Sequence, residues 1–193
     1  GNTVLGSQAN VSAAGAVNQI AVGSGSIGHG DNIAVIGNST AKPEHIKLAE
    51  EVGRELAKRS IIVVCGGLSG VMEAVCRGAK SEGGMTIGIL PGHSPGDANS
   101  FVDIPIVTTM GYSRNVIVVN TGEAVISVGG AFGTLSEIAH ALSEEIPVIG
   151  LKTWPLTVRG DGDPIYPGIV EAETALDAVE KAILAAQLRS KKA

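Results

Sequence analysis

Aromatic side chains are nearly missing from this chain, which has one Trp, two Tyr and two Phe in 193 residues. Its core must therefore be assembled from Val, Ile, Leu and Ala, and with 27 glycines beside them the composition is that of a buried parallel sheet turned by many tight loops. Cysteine is also scarce. Cys65 and Cys76 have neither the density of a secreted disulfide scaffold nor metal-ligand spacing, so they read as buried free thiols in a reducing compartment. No apolar run approaches the ~18 residues of a membrane span, and the first residues lack the basic start and apolar centre of a signal peptide. The expected location is the cytoplasm. A basic excess is lacking too: the net charge is −5, the pI is near 5.3, and no Lys or Arg cluster is interleaved with aromatics. A nucleic-acid partner is not expected, nor a membrane one.

Charge is absent altogether from the first 30 residues, which hold no Asp, Glu, Lys or Arg. Residues 1–31 thus stand apart as an uncharged Gly/Ala/Ser-rich arm or leader, and residues 32–189 read as one domain, the expected number for a chain of 19.5 kDa. Within the arm, Val4-Leu5-Gly6-Ser7 and Ala21-Val22-Gly23-Ser24 echo one another. The echo faintly resembles the β-roll head repeats of trimeric bacterial adhesins. A flexible tail or a strand-like arm packing on a neighbouring subunit are the two open readings.

What is present from Ile33 onward is an alternation of strands and helices. Apolar runs at 33–37, 61–65, 85–90, 105–108, 123–128 and 147–151 read as strands. A segment entered near Pro43, with His45, Leu48, Ala49, Val52 and Leu56 on one side, and the segments 71–81, 113–120, 134–143 and 172–188 carry helical spacing. The segment 154–168 reads as loop. Such alternation implies right-handed crossovers and a doubly wound, mostly parallel α/β sheet whose ligand crevice lies at the carboxyl ends of the strands. In the segment 113–120 the run Val116-Ile117-Val118-Val119 is too wide for one buried helix face, which predicts a homo-oligomer, dimer or tetramer.

Two glycine loops fall at that edge. Gly129-Gly130-Ala131-Phe132-Gly133-Thr134 follows one strand and opens a helix, and Gly66-Gly67-Leu68-Ser69-Gly70 does the same upstream. The first N–H groups of a helix have no partners inside it and carry the positive end of its dipole, so a glycine loop at that point can hold a phosphate. Neither loop is a Walker A sequence or the spaced dinucleotide fingerprint. The expected cofactor-binding residues are Gly37, Gly66, Gly67, Ser69, Gly70, Arg114, Gly129, Gly130, Gly133, Thr134 and Glu137. Glu73 either meets a ligand sugar or faces solvent. His45 and His140 sit within helices without companions at metal spacing, so they are expected to pack or lie exposed rather than ligate, and no metal site is expected.

The ordered set Cys65 to Glu73, Ser113-Arg114-Asn115 and Gly129 to Glu137 resembles the motifs of the LOG family, once labelled possible lysine decarboxylases. Gly70-Val71-Met72-Glu73, Pro91-Gly92, Ala98-Asn99 and Arg114-Asn115 are most similar to its molybdenum cofactor carrier branch. The resemblance implies a Rossmann-like fold. Characterised members release a base from nucleoside 5′-monophosphates, and their catalytic arginine and glutamate fall on Arg114 and Glu137. Those hydrolases favour Arg-Lys and Pro-Gly-Gly where this chain has Arg114-Asn115 and Val128-Gly129-Gly130. The implied function is carrier-like binding of a phosphate-bearing small molecule, a nucleotide or molybdenum cofactor as cargo. The alternative is a nucleoside 5′-monophosphate phosphoribohydrolase in which Arg114 and Glu137 are catalytic.

Overall fold

A computed structural model describes residues 32–156 and 168–190, with four short strands ahead of them. Of these, β1 (Thr3–Leu5) lies parallel to β3 (Ile20–Val22), and β2 (Asn10–Val11) lies parallel to β4 (Ile27–Gly28). The echo read from the sequence falls on the first pair, where Val4 faces Ala21 and Leu5 faces Val22. The remainder of the segment 1–31 lies outside the described residues, as does most of the expected loop at 154–168.

Seven strands form the main sheet: β5 (Ile33–Gly37), β6 (Val63–Cys65), β7 (Thr86–Leu90), β8 (Ile104–Val107), β9 (Ala124–Val128), β10 (Val148–Leu151) and β11 (Val170–Glu171). All pairings are parallel, in the order β11-β10-β9-β5-β6-β7-β8. The fold is therefore the doubly wound, Rossmann-like α/β architecture that the alternation implies.

Strand periodicity sends successive side chains to opposite faces. Ile33 and Val35 of β5 pack with Val52 and Leu56 of α1 (Pro43–Lys58), Val75 of α2 (Val71–Ser81) and Ala178 of α5 (Ala175–Ser190). Ala34 and Ile36 pack with Val118 and Val119 of α3 (Asn115–Thr121) and with Ile138 and Ala141 of α4 (Phe132–Ser143). The helices thus cover both faces, which is why the central strands are apolar throughout rather than alternating. Both cysteines are buried and unbridged, with their Sγ atoms 3.5 Å apart. No helix among the described residues is long and apolar enough to cross a membrane.

Several boundaries differ from the sequence reading. Ile61 and Ile62 precede β6 rather than belonging to it, and α5 begins at Ala175 because β11 occupies Val170–Glu171. A two-residue strand is too short to leave a periodic signal. A 3-10 turn, Gly111–Arg114, precedes α3, so Arg114 stands just before the helix and not in its first turn. Val118 and Val119 are buried by their own chain while Val116 and Ile117 are half-buried, so much of the apolar run that suggested an oligomer is spent inside the fold.

Candidate functional site

The strand order reverses between β5 and β9. From β5 the chain moves through β6, β7 and β8 on one side, then returns to lay β9, β10 and β11 on the other. In open α/β sheets the loops leaving two strands at such a point part company and open a crevice at their carboxyl ends. Gly37 ends β5 level with Val128, the end of β9. A Cβ on Gly37 would meet the Val128 carbonyl and the Val71 side chain, each within 2.7 Å, so only glycine lets strand and helix close here. After Val128, Gly129 takes a left-handed conformation with φ 62°, which turns the chain sharply into α4. Ala131 precedes α4 in an extended conformation and supplies no side-chain cap. The first N–H groups of that helix are left for another acceptor.

A cavity of about 220 Å³ opens at this point, lined by Gly37, Asn38 and Ser39, by Leu68 and Met72, by Tyr112, Arg114 and Asn115, and by Ala131, Gly133, Thr134 and Glu137. Its charged pair is buried, Arg114 being 8% and Glu137 6% exposed. Arg114 Nη1 donates to Glu137 Oε1 at 3.3 Å and also to the Asn115 side-chain oxygen. Asn115 Nδ2 in turn donates to Ser136 Oγ at 2.9 Å and to the Gly133 carbonyl at 3.4 Å, which ties the start of α3 to the first turns of α4. The other side of the guanidinium lies over Gly66, where an added Cβ would meet Nη2 at 2.5 Å. Arg114 Nε is buried and has no hydrogen-bond partner. Burial pushes the Glu137 carboxyl up to about 7, against the downward pull of Arg114. The arrangement offers an anion a buried guanidinium, an uncapped helix start, and a carboxyl that changes charge near neutrality.

Of the residues expected from sequence, Gly37, Gly133, Thr134, Arg114 and Glu137 line this cavity, and Gly66 lies against Arg114. The others have local tasks. Gly67 N–H donates to Cys65 Sγ at 3.4 Å and Gly129 N–H donates to the Leu151 carbonyl at 2.9 Å, so neither donor is free. Gly70 packs on the carbonyls of Asn38 and Ser39, Gly129 on the His45 ring and Gly130 on the Trp154 indole. Ser69 Oγ donates to the Ser39 carbonyl at 3.4 Å. The upstream loop reaches the cavity through Leu68 and the following Met72 instead of through glycine N–H groups. Asn99 holds that loop in place, its Nδ2 donating to the carbonyls of Gly67 at 3.1 Å and Leu68 at 2.9 Å. Glu73 sits 3.9 Å from Arg77 and does not line the cavity. Asn38, Ser39, Leu68, Met72, Tyr112, Asn115 and Ala131, which also line the cavity, are not among the expected site residues. Asn38 and Ser39 follow Gly37 directly, and a strand end at the switch point was the available signal for them.

Comparison with known proteins follows the same outline. The sequence model described as LDcluster4, SLOG cluster4 family, matches residues 31–182. A Mycobacterium tuberculosis protein named cytokinin riboside 5′-monophosphate phosphoribohydrolase is 30% identical over 166 residues, covering 75% of this chain and 88% of its own. Among solved structures, the molybdenum cofactor binding protein of Rippkaea orientalis superposes with a TM-score of 0.71 at 33% identity, covering 80% of this chain and 97% of that one. The molybdenum cofactor carrier protein of Chlamydomonas reinhardtii gives a TM-score of 0.70 at 32% identity, covering 80% and 98%.

Proposed function

The chain belongs to the SLOG cluster4 family, and from that premise we propose that it binds a phosphate-bearing small molecule, a nucleotide or a molybdopterin-type cofactor carried as cargo, and holds it without cleaving it. The observation that carries this reading is the buried guanidinium of Arg114, 8% exposed, in the wall of a cavity that also contains the uncapped start of α4. A buried cation whose carboxyl partner is itself only partly ionised is under-compensated, and a phosphate supplies the missing charge. Likeness to proteins named for molybdenum cofactor binding and carriage supports the choice of cargo.

Two positions favour holding over hydrolysis: Asn115 and Val128 stand where the hydrolases that the chain resembles favour Lys and Pro.

The second reading, a nucleoside 5′-monophosphate phosphoribohydrolase, is favoured by the pairing of Arg114 with Glu137 in one pocket and by the named activity of the mycobacterial relative. Incubation with AMP separates the two. The expected result is thermal protection of the protein with no free adenine by chromatography. Rapid adenine release that disappears in Glu137→Gln overturns the carrier reading in favour of the hydrolase.

A further inference from the structure

The cavity over Arg114 and Glu137, at about 220 Å³, is smaller than the ~300–1,000 Å³ of sites that engulf their ligands, so part of a nucleotide-sized molecule must lie across the mouth. The lining is not polar throughout. It includes Leu68 and Met72, which follow β6, and Tyr112 from the turn that delivers Arg114. Tyr112 is 86% exposed, in a chain that has only two Tyr, two Phe and one Trp. An aromatic ring so exposed contributes little to the core, and its flat face is the kind of surface on which another flat ring stacks. Its position two residues before Arg114 means that one short turn presents both a guanidinium for the anionic end of a ligand and a ring for the end that projects.

We infer that Tyr112 stacks on a planar nitrogen heterocycle of the ligand, beside the apolar surface of Leu68 and Met72, and so makes the site select phosphate esters that bear a flat ring over bare sugar phosphates. A purine and a pterin share that chemistry. The inference rests on the reading of the cavity as a phosphate site, and its test keeps the two apart by comparing two probes that differ only in the ring, AMP and ribose 5-phosphate.

Titration calorimetry of the full chain is expected to show AMP bound tenfold or more tightly than ribose 5-phosphate, since stacking of a base on an aromatic side chain is worth on the order of that ratio or more. Tyr112→Ala should bring the affinity for AMP down to that for ribose 5-phosphate while leaving the latter unchanged. Tyr112→Phe, which keeps the ring, should keep the ratio. Equal binding of the two probes by the wild-type protein, or a ratio that survives Tyr112→Ala, overturns the stacking inference and leaves the phosphate reading standing. Failure of both probes to bind overturns the phosphate reading and the inference with it.

Discussion

Nη1 of Arg114 lies 3.3 Å from Oε1 of Glu137 in a single buried contact, and the carboxylate gains less from its cation than it loses by leaving water. Burial is the larger influence on Glu137 and raises it to about 7, while Arg114 pulls the other way. The pair is therefore poised to change its net charge near neutral pH, from positive when Glu137 is protonated to zero when it is not.

Anion binding should follow that change. Below about 7 the cavity holds the Arg114 charge alone, and above it the carboxylate cancels that charge and repels an incoming anion. Sulfate keeps its own charge across this range, so it isolates the protein's contribution. Its affinity is expected to fall by on the order of tenfold between pH 6 and pH 8, and to stay level in Glu137→Gln. A sulfate affinity indifferent to pH in the wild-type protein removes Glu137 from the site.

Gly133 offers a cleaner probe of the loop than Gly130. A Cβ on Gly130 would meet Trp154 Nε1 at 2.6 Å, whereas one on Gly133 meets nothing within 4 Å, although Gly133 lines the cavity. Gly133→Ala in the first turn of α4 should leave stability unchanged or raise it by up to ~1 kcal/mol. The methyl would stand in the space proposed for the anion, so thermal protection by phosphate or AMP should be lost. Full protection in a variant at least as stable as wild type would show that the ligand lies elsewhere.

Asn115, itself buried, bridges Arg114 to the exposed Ser136 and the Gly133 carbonyl. Asn115→Ala removes the buried bridge while Ser136 still reaches the Gly133 carbonyl and Arg114 still reaches Glu137, so the loss is that of one buried side-chain link, about 1–3 kcal/mol in all. In a chain of this size that is a drop of roughly 2–4 °C in melting temperature per kcal/mol. Ligand affinity should fall as well, because the network holds Arg114. A calorimetric scan that shows no change in melting temperature argues that the network contributes nothing.

How far these features could be read from the residues depended on the range of the interaction. Periodic spacing marked α2 at Val71–Ser81 to the residue, since it reflects a helix face repeated over three turns. Arg114 and Glu137 are singled out by the resemblance of their local motifs to those of the LOG family. Their burial and their contact are not legible, because α3 and β9 lie between them in the chain and only the packing of α3 against α4 brings them together. The glycine loops differ in the other direction. Every glycine in them was read as a ligand donor, but the N–H groups of Gly67 and Gly129 are consumed by Cys65 and Leu151, partners that become visible only once the turn is closed. Of the two helical histidines, expected to pack or lie exposed, His45 rests its ring against Gly129 and His140 is exposed.

The expectation of a homo-oligomer now has less behind it on α3, where Val118 and Val119 are buried within the chain. Apolar surface remains at the opposite edge of the sheet, where Ile106 and Val107 of β8 and the nearby Met110 are exposed. An unpaired edge strand with such side chains is a template for association. Light scattering at micromolar concentration should therefore give a mass above 19.5 kDa, and Ile106→Lys should lower it. A monomer mass for the wild-type protein rules the association out.

The packing of α1 against α2 gives a test of the fold that runs against helix propensity. Glycine inside a helix usually costs up to ~1 kcal/mol relative to alanine, so Gly78→Ala ought to stabilise α2. Here the helices cross with their backbones in contact. A Cβ on Gly78 would strike the Glu50 carbonyl of α1, and one on Gly53 would strike the Val75 carbonyl of α2. Backbone cannot swing aside as a side chain can, so the helices must separate, and the ion pair between Arg77 and Glu50 across them, 2.8 Å at its shortest, stretches with them. Overpacking of this kind costs about 1–3 kcal/mol, enough to reverse the gain in propensity. Gly78→Ala should therefore lower the midpoint of urea unfolding, while Gly133→Ala, with open space around it, should not. A raised midpoint for Gly78→Ala would show that the two helices can part at no cost, and that the close crossing does not hold α2 and its loop where the cavity needs them.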